Sequence, residues 1–191
     1  MSSFVIEGGF SLKGKIKPQG AKNEALQVVS SVLLTSEEVI IENVPNIIDV
    51  NRLIEILKLI GVKVKKINSG KYSFKADKLE LEFLKSDKFI SLSKSLRGSI
   101  MIVGPLLSRF GFGSIPRPGG DKIGRRRLDT HFESFKKLGA QFNYDKRKSF
   151  FNVKAKKLKG CDILLDEASV TGTANIIMTS VLAEGRTTIY N

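Results

Sequence analysis

The sequence predicts a mixed α/β (α+β) domain made of repeated units related by pseudo-threefold symmetry, with the third unit incomplete. Three observations predict it. Three segments, at residues 20–43, 96–115 and 170–191, share one order of features: a glycine-containing start, an apolar helical stretch, a short turn and a strand. Leu34, Leu107 and Leu182 fall at equivalent places in them, a period of about 74 residues, longer than most solenoid units. Between these segments, a glycine-stopped amphipathic helix followed by an alternating strand occurs twice.

Taken in order, Gly20-Ala21-Lys22-Asn23-Glu24-Ala25-Leu26 opens the first helix, and Val39-Ile40-Ile41 follows as a strand. Residues 53–61 read as the second helix, ended by Gly61, and 62–67 as a strand alternating apolar and polar side chains. The second unit opens at Leu96-Arg97-Gly98 and passes through Leu106-Leu107 to a strand at 113–115. Residues 132–139 and 140–144 then repeat the helix–strand pattern. The third opens at Val170-Thr171-Gly172 and ends with Thr188-Ile189-Tyr190. Each unit therefore reads roughly as strand–helix–strand–helix–strand–strand, a mixed sheet packed on helices. The second helix and last strands of the third unit are expected to be missing from these residues.

Of 191 residues, 41% are apolar and 27% charged, an ordinary globular composition. No apolar run reaches the roughly 18 residues of a membrane span, and the first residues lack the basic-then-apolar pattern of a secretory signal. One cysteine, Cys161, and one histidine, His131, argue against a disulfide, a cysteine-rich metal site or a zinc site. A cytoplasmic protein with no zinc site and no membrane span is expected. Cys161 reads as a small buried hydrophobe near a strand. The net charge of +13 suits anionic partners. Lysine runs such as 63–66 and 154–157 read as solvated surface.

The chemistry concentrates at the helix starts and in one loop. Helix starts offer unpaired N–H groups and the positive end of the dipole to anions. Each of the three starts pairs glycine with a basic or hydroxyl residue: Gly20 with Lys22, Arg97 with Gly98, Ser169 with Thr171 and Gly172. Ser169 and Thr171 also suit ordinary helix caps. The segment Arg117-Pro118-Gly119-Gly120-Asp121-Lys122-Ile123-Gly124-Arg125-Arg126-Arg127-Leu128-Asp129 reads as a cationic loop carrying one carboxylate at Asp121.

These residues carry a family resemblance. The Gly20 to Leu26 start, the Asn43-Val44-Pro45 turn with Asp49-Val50, the Pro118 to Arg126 loop with Asp129 and His131, the Ser169-Val170-Thr171-Gly172-Thr173 start and the Leu182-Ala183-Glu184-Gly185 turn all resemble enolpyruvyl transferases of the MurA type, in one register along the chain. The resemblance implies an inside-out, barrel-like α/β domain. It places residues 20–191 in a truncated first domain and residues 1–19 with a second domain. It implies enolpyruvate transfer from phosphoenolpyruvate to the 3-hydroxyl of UDP-N-acetylglucosamine, the first committed step of peptidoglycan synthesis. Lys22 and Asn23 would contact phosphoenolpyruvate, and Arg126 its phosphate. Arg97, Arg126, Arg127, Leu128, Asp129, Thr130, Glu167, Ala168, Ser169 and Val170 would hold the nucleotide sugar. Asp121 would be the proton donor, and the resemblance implies no metal or organic cofactor.

Asp121 stands where cysteine is usual in that family, and Arg127 where proline is usual. The first implies resistance to fosfomycin-type epoxides, because a carboxylate is a far weaker nucleophile than a thiolate. Lys122, Arg125 and Arg126 should hold the Asp121 carboxyl below its ordinary range, so bound anions would be needed to make it a usable acid. The family also draws a base and further arginines from its second domain, so the 191 residues alone are expected to be inactive. Two other readings stay open: a sister transferase acting on shikimate 3-phosphate, although its usual Gly-Ser-Lys-Ser start is absent, and a basic nucleic-acid-binding module.

Overall fold

The computed structural model describes residues 3–120 and 127–191. The first unit holds α1 (Lys22–Ser31), β1 (Glu38–Ile41), α2 (Ile48–Leu59), β2 (Lys63–Asn68) and β3 (Lys71–Lys75). After α3 (Asp87–Lys94), the second unit holds α4 (Val103–Phe110), β4 (Phe112–Pro116), α5 (Asp129–Lys137), β5 (Gln141–Asp145) and β6 (Phe150–Lys154). The third holds β7 (Asp162–Leu164), α6 (Val170–Ser180) and β8 (Thr188–Tyr190).

The repeat is visible in the sheet order. The first sheet runs β1-β3-β2 and the second β4-β6-β5, both antiparallel, so the last strand of each unit inserts between the other two. β7 and β8 pair in parallel, with α6 as the crossover that parallel neighbours require. The opening strand expected in every unit is seen as β7; among the described residues the first two units lack it. The second helix of each of the first two units also starts earlier than the sequence suggests. α2 begins at Ile48 with Asp49 in its first turn, and α5 at Asp129, each acidic residue favouring the positive end of the helix dipole. Gly61 ends α2 at φ +98°, where an added Cβ would meet the Lys78 carbonyl at 2.7 Å.

Helices α1, α4 and α6 meet at the centre, and the sheets lie outside them. Val29, Leu33, Met101, Ile102, Leu106, Leu107 and Ile176 are fully buried there. α5 sits on the second sheet through Phe132, whose ring centroid is 4.6 Å from that of Phe142 and 4.9 Å from that of Phe151. Helices inside and sheets outside is the inside-out arrangement expected.

The second unit opens differently from the first. Residues Arg97–Ile102 form a 3-10 turn, and the α-helix begins only at Val103. Two causes are visible. Pro105 has no N–H to give to Met101, so the ladder cannot run through it. The side chain of Asn175, from α6, also stands in the next rung: its Oδ1 accepts from Gly104 N–H (3.0 Å) and its Nδ2 donates to the Ile100 carbonyl (3.0 Å). A Cβ on Gly104 would lie 2.2 Å from Asn175 Oδ1, so only glycine fits.

At the other end of the central helices, Arg109 Nη1 donates to the carbonyls of Leu33 (3.1 Å), Thr35 (2.8 Å) and Ala76 (2.8 Å), tying the second unit to the first. Cys161 is not the buried hydrophobe expected. It is only half-buried, with its thiol against the Lys137 carbonyl at 3.4 Å, because it precedes β7 at the edge of that strand pair. No described helix is long and apolar enough to cross a membrane.

Candidate functional site

A cavity of about 210 Å³ opens where the three units begin. Lys22 and Asn23 line it from α1, Arg97 and Gly98 from the 3-10 turn, and Thr171 from α6, so all three starts face one space. Asp49, Arg52, Gly120 and His131 add to the wall. Among the described residues the lining carries three cations against one carboxylate, a setting that favours anions.

The three starts are not equivalent. Among the described residues, no side chain caps α1 at Ala21 or the 3-10 turn at Leu96. At α6, Ser169 Oγ accepts from Gly172 N–H at 3.0 Å, so this start is capped from within. Among the described residues, two starts without a side-chain cap and one capped start therefore meet at the cavity, and the first two are the better placed to bind an anion.

The cationic side chains are tethered. Lys22 Nζ lies 3.1 Å from Asp49 Oδ2, and Arg52 Nη1 donates to the Ser95 carbonyl at 3.2 Å. Arg97 Nη2 donates to the Arg127 carbonyl at 2.8 Å, which links the cavity to the start of α5. The glycines leading into the loop dock on the same turn. A Cβ on Gly119 would strike the Lys94 carbonyl, and Gly120, at φ +94°, faces Arg97 N.

A polar cluster lies beyond Arg97. Arg127 Nε pairs with Asp129 at 2.9 Å and its Nη2 with Asp166 at 2.8 Å. Thr130 Oγ1 donates to Asp166 at 3.0 Å, and this hydrogen bond, ahead of Arg127, holds the Asp166 carboxyl below its ordinary range. The Asp129 hydrogen bond and then the Asp166 charge hold Arg127 firmly protonated. Leu128 is half-buried and Thr130 buried, while Glu167, Ala168 and Val170 are exposed beside Asp166.

The structure thus groups Lys22, Asn23 and Arg97 at the cavity, and Arg127, Asp129 and Thr130 with the segment that leads to Ser169. Asp121 and Arg126 lie outside the described residues. Arg52, Asp166 and Asn175 escaped the sequence reading. Asn175 left a signal: with Thr171 and Thr179 it forms a polar stripe at four-residue spacing on an otherwise apolar helix.

His131 is 3% exposed. Its Nδ1 lies 3.1 Å from Asn175 Nδ2. Burial, with the nearby Arg97 charge as a second cause, lowers its pKa to about 4, so the ring is neutral. Among the described residues no group of three or more His, Cys, Asp or Glu side chains is placed to hold a metal ion.

Residues 6–191 match the family described as EPSP synthase (3-phosphoshikimate 1-carboxyvinyltransferase). The chain is 56% identical over 191 residues to a UDP-N-acetylglucosamine 1-carboxyvinyltransferase of Bacteroides fragilis, covering all of this chain and 44% of that protein. The enzyme of that name from Borrelia garinii is 47% identical over 193 residues, with 43% of it covered. The chain therefore spans less than half the length of these curated relatives. Among solved structures, the enolpyruvyl transferase NikO of Streptomyces tendae superposes with a TM-score of 0.75 at 19% identity, over 95% of this chain and 42% of that one. An EPSP synthase of Acinetobacter baumannii gives 0.68 at 16% identity, over 93% and 40%. These two show a shared fold.

Proposed function

We propose, from the premise that this chain belongs to the EPSP synthase family, that it supplies one face of an active site that moves enolpyruvate from phosphoenolpyruvate to the 3-hydroxyl of UDP-N-acetylglucosamine. The observation that carries the reading is the convergence of three unit starts on one cationic cavity. The 56% identity to enzymes named for that reaction favours it over the shikimate 3-phosphate reaction.

In this reading a base takes the proton of the sugar hydroxyl as its oxygen adds to C2 of the enol and C3 takes a proton; loss of a proton from C3 then expels phosphate and restores the double bond. Lys22 and Asn23, at the uncapped start of α1, meet the carboxylate and phosphate of phosphoenolpyruvate. Lysine suits that place as a compact charge. Arg97 meets the nucleotide sugar. Arg127, Leu128, Asp129, Thr130, Glu167, Ala168, Ser169 and Val170 form the uridine side, where Arg127 already bridges two of the walls through Asp129 and Asp166. Arg126 holds phosphate and Asp121 gives the proton to C3; aspartate in that role leaves no thiolate for fosfomycin-type epoxides to alkylate.

The remaining base and arginines come from a second domain. The segment before α1 supports that partner. Phe10, Leu12 and Ile16 alternate with polar residues yet are 73%, 96% and 95% exposed, a strand pattern whose apolar side awaits a sheet. Soluble action in the cytoplasm at the first committed step of peptidoglycan synthesis, with consequences for cell shape and division, follows from this reaction.

The test is thermal unfolding with each ligand, because a ligand bound only by the folded state raises the midpoint. UDP-N-acetylglucosamine is expected to raise it and shikimate 3-phosphate, at equal concentration, to leave it in place. The reverse order overturns the assignment. Salt-sensitive binding to DNA in preference to the nucleotide sugar would point to a nucleic-acid-binding module instead.

A further inference from the structure

The wall of the cavity that His131 provides is set from another unit. Asn175 is fully buried and its amide orientation is not a free choice. Gly104 N–H can only donate and the Ile100 carbonyl can only accept. The amide must therefore turn Oδ1 to the first and Nδ2 to the second, as it does at 3.0 Å each. One hydrogen on Nδ2 is used at Ile100, and the other is directed at His131 Nδ1, 3.1 Å away.

We infer that Asn175 is a positioning residue that fixes His131 as the neutral Nε2–H tautomer, so that this wall offers a ligand a hydrogen-bond donor. The logic is one of lone pairs. A donated amide hydrogen requires a bare Nδ1, so the single ring proton resides on Nε2. Nδ1 faces Asn175 in the core while the ring borders the cavity, so the opposite edge, with Nε2, is the one a ligand meets. The ring's low basicity agrees, since a second proton would have to displace the amide hydrogen beside Arg97. The broken rung of α4 thus has a use. The two backbone groups it leaves unpaired act as a key that accepts the Asn175 amide in one orientation only. The donor role towards a ligand rests on the cavity reading given above; the tautomer does not.

The chain has one histidine, which makes the test direct. In the ¹⁵N-labelled chain at pH 7, long-range ¹H–¹⁵N spectra of the side chain are expected to show a protonated Nε2 and a bare Nδ1. A through-hydrogen-bond ¹⁵N–¹⁵N coupling should link Asn175 Nδ2 to His131 Nδ1. A protonated Nδ1, or no coupling, overturns the inference without any variant. Asn175→Asp, which can accept from Gly104 but cannot donate to Nδ1, is expected to move the proton to Nδ1 or to charge the ring; an unchanged pattern in the folded variant sinks the positioning role. On adding UDP-N-acetylglucosamine, Nε2 should shift and Nδ1 stay. Shifts at the Lys22 and Arg97 amides with Nε2 unmoved would overturn the donor role. No shift anywhere would count against the cavity reading, with the tautomer still judged by the first spectrum.

Discussion

The central helices end in two very different ways, and both ends carry an arginine from the second unit. At the far end, Arg109 is enclosed by the carbonyls of Leu33, Thr35 and Ala76. At the near end, Arg97 borders a cavity among helix starts. The polarity of the helices explains the contrast. The helices' finishing turns present carbonyl oxygens that a guanidinium can saturate, here those of Leu33 and Thr35 after α1, and Ala76 at the end of β3 adds a third, so Arg109 closes the structure. Their opening turns present N–H groups, which cannot satisfy a cation and instead share its preference for anions. Equal charge at the two ends gives a staple at one and a binding surface at the other.

The sharpest way to break this contrast is to remove each arginine in turn. Arg109→Met should leave three carbonyls without their donor and cost about 3 kcal/mol in urea unfolding, with the binding of UDP-N-acetylglucosamine by the folded fraction unchanged. Arg97→Met should cost about 1 kcal/mol or less yet weaken that binding about tenfold or more by calorimetry. Equal stability losses in the two would abolish the distinction. Gly104→Ala tests the joint between the ends. A methyl group 2.2 Å from Asn175 Oδ1 and 2.6 Å from Thr179 Oγ1 should destabilise the chain by about 2–3 kcal/mol and disturb the His131 resonances.

The pH dependence probes the near end more gently. Folding lowers the His131 pKa from 6.5 to about 4, so between these values the unfolded chain binds more protons than the folded one. The stability that burial of the neutral ring confers is therefore complete above about pH 6.5 and is lost as the pH falls towards 4. About 1.5 kcal/mol should be lost between pH 6.5 and 5, and His131→Phe should flatten that slope in urea titrations. The smallest effect is expected at Arg127. Its ion pairs with Asp129 and Asp166 are exposed, so Arg127→Ala should leave unfolding unchanged within error. Any loss of nucleotide-sugar affinity in that variant would then report on the site alone.

The features legible in the sequence are those whose cause is local. Glycine-stopped α2 and α5, the alternating strands β2 and β5, and the Lys22, Arg97 and Thr171 starts each declare themselves within about ten residues. The repeat then predicts that the starts gather, and they do. What escaped depends on partners distant along the chain. The 3-10 opening of the second unit follows partly from Pro105, which could be read, and partly from Asn175, which could not, because the two backbone groups it separates lie 71 and 75 residues away. Arg109 looks like any surface arginine until the carbonyls of another unit surround it. Asp166 becomes notable only once Thr130 and Arg127 are brought to it from 36 and 39 positions earlier.

The placement of Asn175 also bears on how the molecule is made. Residues 1–120 can emerge from a ribosome and form α1 to α4, yet the break in the fourth helix stays unfilled until the sixth helix has been synthesised and swung into place. Until then the Gly104 N–H and the Ile100 carbonyl lack the partner they have in the finished fold, so the cavity wall they help to set is completed only by the last helix.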